Sequence, residues 1–337
     1  GKKFFAREDE MGLRKQRTNW FLAAISISVV AAIVTNVREL SSTTANETGT
    51  LSIIDASKYA SLHDAIDALP DAGGIVNIPP GTYTISKTIW LTRDNTRIQG
   101  AGPSTHIVNA NEKGEHALTL EHKDRPNEPL ARLTRVEVAD LRISGNPKSG
   151  DGIFVEGVKG LYLEGLTVDH HGEHGMRILD SFDGPRVVGC NVHENGFDGL
   201  YSLVSHDLTI SANQFWKNRD GVSMHDSTNL SICGNNLRSQ RRDGLVLDRV
   251  SFASVSGNAL RGCKGRGIAL RAAKDIVVSG NALVEVRGAG VKAGKDCLRI
   301  LVGDNGFFNG ADKLESAVKT IDLDGATGSI IGTNLAQ

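Results

Sequence analysis

In the middle of the chain, residues suited to proton transfer beside a carboxylate return at a nearly constant interval. His225-Asp226 is followed 23 residues later by Asp248-Arg249 and 46 residues later by Arg271, while Tyr201 precedes Ser223 by 22 residues and follows Arg177 by 24. Histidine takes up and releases protons near neutral pH. Arginine grips a carboxylate through paired N–H donors and neutralises it. A tyrosine or an aspartate can serve as a second acid or base, and a serine can hydrogen-bond to either. Such a set could remove a proton from a carbon next to a carboxylate and return one, with arginine stabilising the charge that develops. It can act only if the fold gathers it onto one surface.

A repeat supplies that surface. A dipeptide ending in glycine recurs at Asp151-Gly152, His174-Gly175, Asp198-Gly199, Asp220-Gly221, Asp243-Gly244, Arg266-Gly267 and Ala289-Gly290, in steps of 22 to 24 residues. Apolar residues stand two and four positions after its first member, as in Ile153/Val155, Met176/Ile178, Val222/Met224, Leu245/Leu247 and Ile268/Leu270. That alternation marks a half-buried strand. A second short strand follows in each unit, then an asparagine beside a third: Asn191, Asn213, Asn236, Asn258, Asn281 and Asn305. Three short strands per ~23 residues suit one coil of a parallel β-helix, whose coils stack about 4.8 Å apart.

Equivalent residues then form columns. With offsets two and four inward, offset three (Phe154, Arg177, Tyr201, Ser223, Val246, Ala269, Lys292) and offset five (Glu156, Leu179, Leu203, His225, Asp248, Arg271, Gly294) point outward. Asp180, Asp226, Arg249 and Lys295 lie just beyond. Arg177, Tyr201, His225, Asp226, Asp248, Arg249 and Arg271 are therefore expected on one face. The asparagines read as a ladder that satisfies a turn, the aspartates before glycine (Asp151, Asp198, Asp220) as turn-bonding groups, and the glycines as a crowded bend.

Composition agrees with this organisation. The chain of 337 residues carries 38 lysines and arginines against 39 aspartates and glutamates, so it has no overall basic charge to attract nucleic acid. Its 38 glycines exceed the usual ~7%, whereas 8 prolines are too few for a collagen-like or low-complexity chain. Aromatics at 5% leave an aliphatic core. The four cysteines form no CxxC pair, and the HHGEH run at 170–174 has the spacing of a turn rather than of two ligands on a helix face, so no metal or cofactor is expected. At the N-terminus, residues 1–19 form a basic region, 20–37 an uncharged stretch on the border between a signal segment and a membrane anchor, and 38–50 a polar linker. The basic flank places residues 51–337 outside the cytoplasm, in the periplasm or at the cell surface, attached to the membrane through 20–37 if that segment is uncleaved.

Residues 61–91, SLHDAIDALPDAGGIVNIPPGTYTISKTIWL, read as a short helix, a glycine turn and strands, with Ala65, Ile66 and Leu69 placed to cover the open end of the stack. With TRIQGAGPSTHI at 96–107, this segment resembles the opening of pectate-lyase-like right-handed parallel β-helix proteins that act on acidic polysaccharides. The resemblance implies an all-β, single-stranded parallel β-helix over 51–337 with an N-terminal capping helix. A narrower likeness lies in DGVSMHDSTNLSICGNN (220–236) and RRDGLVLDRVSFASVSGN (241–258), which are similar to the catalytic stretch of periplasmic mannuronan carbon-5 epimerases. His225 and Asp226 match the His-Asp of that family's Tyr-Gly-x-Asp-Pro-His-Asp motif, and Arg249 its later arginine. The resemblance gives His225 the role of base and Arg249 that of neutralising the sugar carboxylate.

Asp220 stands where that family has tyrosine, Ser223 where it has aspartate and Met224 where it has proline. Tyr201, one coil earlier in the column of Ser223, is near enough to substitute as second acid or base. The expected catalytic group is thus His225, Asp226, Arg249 and Tyr201, with Arg177, Ser223, Asp248 and Arg271 binding substrate. Return of the proton to the opposite face of carbon 5 gives epimerisation, and loss of the glycosidic oxygen gives β-elimination. The partner in either case is an anionic polysaccharide of uronic acids. The alternative is a non-catalytic β-helix that binds cell-surface polysaccharide. A hydrolase with paired carboxylates has only Asp226 and Asp248 to draw on.

Overall fold

The computed structural model describes residues 52–308 and 320–336, so the expected basic region, apolar segment and linker fall outside the described residues. About 11 turns of some 23 residues build three parallel sheets of twelve, ten and eleven strands, each strand pairing with its equivalents one coil before and after. The first sheet runs from Ile53–Asp55 through Ser251–Ser256 to Ile330–Ile331. The second runs from Ile89–Leu91 through Val222–His225 to Ile321–Asp322, and the third from Gly81–Ile85 through Asn236–Arg238 to Leu335–Ala336. Among the described residues no helix is long and apolar enough to cross a membrane.

The core follows from the alternation. In the second sheet Met176, Leu200, Val222, Leu245 and Ile268 stack in register and are fully buried, as are Ile178, Met224 and Leu247 in the parallel inward column. Each such side chain contributes roughly 1.5–3 kcal/mol by leaving water, and together they form one continuous apolar cluster. A six-residue helix, Leu62–Asp67, starts at Ser61, whose Oγ accepts the Asp64 N–H at 3.2 Å, and Ala65, Ile66 and Leu69 belong to the same cluster.

Polar ladders close the turns. Asn213, Asn235, Asn258, Asn281 and Asn305 are buried at the turn between the first and third sheets. In each of the first four, the backbone N–H and Nδ2 both donate to Oδ1 of the next asparagine, at 2.9–3.0 Å. Each Nδ2 also donates to a carbonyl one coil back, such as Ile210 or Ile232. Two of the expected members are off by one residue. The ladder uses Cys190 and Asn235 where Asn191 and Asn236 were expected; these two begin third-sheet strands, and Asn191 Oδ1 accepts the Trp216 indole N–H at 2.9 Å.

The recurrent glycines are required by crowding. A Cβ on Gly199 or Gly221 would lie 2.7 or 2.6 Å from the carbonyl oxygen of the corresponding glycine one coil on. At the end of each central second-sheet strand the chain turns through a left-handed residue: Asp180, Val204, Asp226, Arg249 and Ala272, with φ between 45° and 52°. Aspartate tolerates that region, while arginine and valine enter it only because the coil dictates it. The four cysteines are free, and burial pushes the Cys190 and Cys263 thiols up to about 12.

Candidate functional site

The outward columns of the second sheet stand as the spacing implies. Phe154, Arg177, Tyr201, Ser223, Val246, Ala269 and Lys292 pair in succession, and so do Glu156, Leu179, Leu203, His225, Asp248 and Arg271. Six of the eight expected site residues stand in these columns, and Asp226 and Arg249 follow them in the turn, where Arg249 hydrogen-bonds to Asp248. Outward does not mean exposed, however: Ser223, Val246 and Ala269 are buried. Arg271 explains part of this, because its Nη2 lies 3.6 Å from Asp243 Oδ2 and so its side chain spans the column above Ala269. Offset three is therefore the floor of a groove walled by the longer side chains of offset five and of the preceding turn.

His225 sits at its centre. Its Nε2 lies 2.9 Å from Ser223 Oγ and its Nδ1 lies 3.7 Å from Asp248 Oδ2. The Asp248 charge favours the tautomer with the proton on Nδ1, which leaves the Nε2 lone pair for Ser223 or for a substrate. Burial lowers the His225 pKa, and Asp248 pulls against that shift. The ring lies 5.0 Å from that of Tyr201, and Tyr201 in turn lies 4.9 Å from the ring of His174.

The arginines differ in how they are held. Arg249 grips Asp226 with Nε–Oδ1 2.6 Å and Nη2–Oδ2 2.8 Å, and donates from Nη1 to Asp248 at 2.8 Å. This hydrogen bonding holds the Asp226 carboxyl below its ordinary value. Arg219 and Arg266 are likewise held in forks by Asp198 and Asp243. Arg177 and Arg271 are not: each stands 3.6 Å from a carboxylate, beyond hydrogen-bonding distance, and the buried Arg177 Nε has no partner. Of the outward arginines, these two have donors to spare.

A second polar ladder runs along the groove at the residue before each recurrent glycine, and begins at His116, which precedes Ala117. His116 Nδ1 accepts the Asp151 N–H, Asp151 Oδ1 the His174 N–H, and His174 Nδ1 the Asp198 N–H, at 2.9, 2.9 and 3.2 Å. Asp198, Asp220 and Asp243 continue it to Asp220, Asp243 and Arg266 at 3.2, 2.7 and 2.7 Å. The aspartates thus bond the turn; the second oxygens of Asp198 and Asp243 go to Arg219 and Arg266, whereas those of Asp151 and Asp220 are left without a hydrogen bond. At Asp220 the arginines Arg219 and Arg242 come no nearer than 3.9 Å, and burial with the charges of Asp198 and Asp243 raises its pKa. Burial also raises Asp151 to about 7 and lowers His116 and His174 to about 4, so both histidines are neutral at ordinary pH. With Nδ1 accepting, each carries its proton on Nε2.

The expected turn-bonding role of Asp151, Asp198 and Asp220 holds, and the place of His174 in the same ladder is what the columns alone missed. His174 occupies a position filled by aspartate in the coils on either side, and the same register that located His225 would have placed it beside Tyr201.

A family model described as a right handed beta helix region matches residues 131–308. The chain belongs to that family. Among solved structures, this right-handed β-helix is similar to ORF18 of Geobacillus virus E2, with TM-score 0.72, 16% identity, and coverage of 84% of this chain and 61% of the other. The chain therefore spans about three fifths of that protein. The A-module of the Azotobacter vinelandii mannuronan C-5 epimerase AlgE6 matches with TM-score 0.58 and 17% identity, covering 84% of this chain and 95% of that one. PfbA, a surface adhesin of Streptococcus pneumoniae, matches with TM-score 0.61 and 15% identity, covering 85% and 90%. No curated protein sequence matches. At these identities the likeness is one of fold, and the fold serves an enzyme and an adhesin alike.

Proposed function

We propose that this β-helix is an exported enzyme that modifies a uronic-acid polysaccharide, with carbon-5 epimerisation of alginate-type mannuronate as its reaction. The carrying observation is the arrangement of His225: its Nε2 faces Ser223 in the groove, its ring lies against Tyr201, and Arg177 and Arg271 stand on either side along the axis, each 3.6 Å from its nearest carboxylate and so not held in a fork. In this reading the polymer lies along the columns. Arg177 and Arg271 bind uronate carboxylates, and Arg249, fixed by Asp226 and Asp248, offers the N–H donors those two leave free to the carboxylate of the reacting sugar. Neutralising the carboxylate acidifies the proton on carbon 5, and His225 Nε2 takes it as the sugar displaces the Ser223 hydroxyl. Tyr201 donates a proton to the opposite face. If the glycosidic oxygen leaves first, the same base produces β-elimination.

The test is incubation with polymannuronate and other uronans. Proton spectra report guluronate formation, and ultraviolet absorbance reports unsaturated ends. The expected outcome is new guluronate signal without ultraviolet absorbance, lost by at least about 10²-fold in His225→Ala while polymer binding survives. Unsaturated ends would make the protein a lyase. Polymer retention with no chemical change would make it a binding β-helix, a reading that the pairing of Arg219, Arg249 and Arg266 with aspartates supports.

A further inference from the structure

At the Arg177 end of this face, three side chains able to ligate a cation lie close together. His116, Asp151 and Glu173 come from three successive coils, and one ligand atom of each lies within 4.8 Å of the others. His116 Nδ1 and Asp151 Oδ2 are 3.3 Å apart. Asp151 is fully buried, its Oδ1 is taken by the His174 N–H, and its Oδ2 has no hydrogen-bond partner. Arg177 Nη1 forms an ion pair with that oxygen at 3.6 Å, too long for a hydrogen bond. Leaving a buried polar group unpaired costs about 1–3 kcal/mol, and more when it is charged. Here an imidazole and a second carboxylate converge on the orphaned oxygen, where a donor would relieve it.

We infer that His116, Asp151 and Glu173 bind a divalent first-row transition-metal cation. One imidazole nitrogen with two carboxylates suits Zn²⁺ or Mn²⁺, with water completing the shell. It is a poor set for Ca²⁺, which gathers about six to eight oxygens. Ligation through His116 Nδ1 exchanges its present bond from the Asp151 N–H for the metal bond, whereas ligation through Nε2 turns the ring. The spacing of the HHGEH run pointed away from a metal because only Glu173 of that run takes part, its partners lying one and two coils earlier. His170 pairs with Asp169, and His171 is buried. A bound cation neutralises Asp151 and Glu173 and frees Arg177 to turn toward the groove beside Tyr201.

The test is calorimetric titration of the full chain, first stripped with chelator, with Zn²⁺, Mn²⁺ and Ca²⁺, alongside the visible spectrum of the Co²⁺-loaded protein. Asp151→Asn keeps the Oδ1 acceptor for the His174 N–H and removes a buried charge, and Glu173→Gln alters a half-buried turn residue, so neither variant should melt below the parent without metal. The expected result is one equivalent of Zn²⁺ or Mn²⁺ per chain, with affinity at least about tenfold lower in both variants and a Co²⁺ spectrum that changes with them. No saturable binding, binding unchanged in both variants, or tighter binding of Ca²⁺ than of either transition metal would overturn the assignment. None of these readouts requires turnover, so the result stands apart from the fate of the proposed reaction.

Discussion

Two ladders thread this solenoid, and they are built on opposite plans. The asparagine ladder repeats one residue from Asn213 to Asn305, and every amide in it is satisfied from both sides. The ladder beside the groove does the same backbone work with mixed residues: His116, Asp151, His174, Asp198, Asp220 and Asp243. Asparagine leaves nothing over. Aspartate leaves a second, anionic oxygen, and histidine a neutral N–H. At Asp198 and Asp243 the second oxygen holds an arginine, and at Asp151 and Asp220 it is left without a hydrogen bond, so the mixed ladder carries charge along the face where the uniform one carries none.

The comparison can be broken at its strong end first. Asn258→Ala removes acceptors for the Asn235 N–H and amide, and donors for the Ile232 carbonyl and Asn281, all buried. At about 1–3 kcal/mol per orphaned group, partly offset by relaxation, the expected loss is about 4 kcal/mol in urea unfolding. A loss under about 1 kcal/mol would show that the ladder is dispensable.

The groove is expected to respond in activity instead. Tyr201→Phe keeps the ring between His174 and His225 and deletes only the hydroxyl, so melting should be unchanged while guluronate formation falls by about 10²-fold. Unchanged turnover would remove Tyr201 from the acid role.

A smaller effect concerns pH. In the proposed reaction the base form of His225 is the active one, and burial sets its pKa below 6.5, so kcat/KM should fall only as pH drops through that lowered value. Asp248 raises this pKa, so Asp248→Asn should move the acid limb to still lower pH, and a shift upward would contradict the assigned electrostatics.

The smallest change converts one groove rung to the plan of the other ladder. Asp220→Asn keeps the Oδ1 acceptor for the Asp243 N–H. The Asp220 pKa is raised above 3.8 in the folded state, so its contribution to stability is present at low pH and lost as pH rises through the raised value. The variant should melt slightly higher than the parent at neutral pH and lose part of the parent's pH slope. Equal slopes would mean that Asp220 is not held uncompensated.

The fold was legible because two periods coincide: apolar alternation within strands, and a glycine that returns every 22 to 24 residues because a Cβ would strike the next coil. Where two polar residues adjoin, as in Cys190-Asn191 or Asn235-Asn236, spacing alone could not tell the inward residue from its outward neighbour, and the ladder was read one residue late. The columns likewise placed Tyr201, His225, Asp248 and Arg271 correctly relative to one another. What spacing could not convey is reach. Arg271 crosses to Asp243, and Arg249 folds back onto Asp226, through side-chain torsions that no interval in the sequence encodes.

The parallel register has a further consequence. Since each coil adds one storey of fixed height and shape, excising a whole storey between Arg177 and His225 would leave the wall standing while lowering everything downstream by one floor. His225 would then face a new neighbour without any change in its own surroundings on the chain. In such a molecule a deletion in frame with the coil acts as a rewiring, and chemistry can be altered by editing storeys instead of residues.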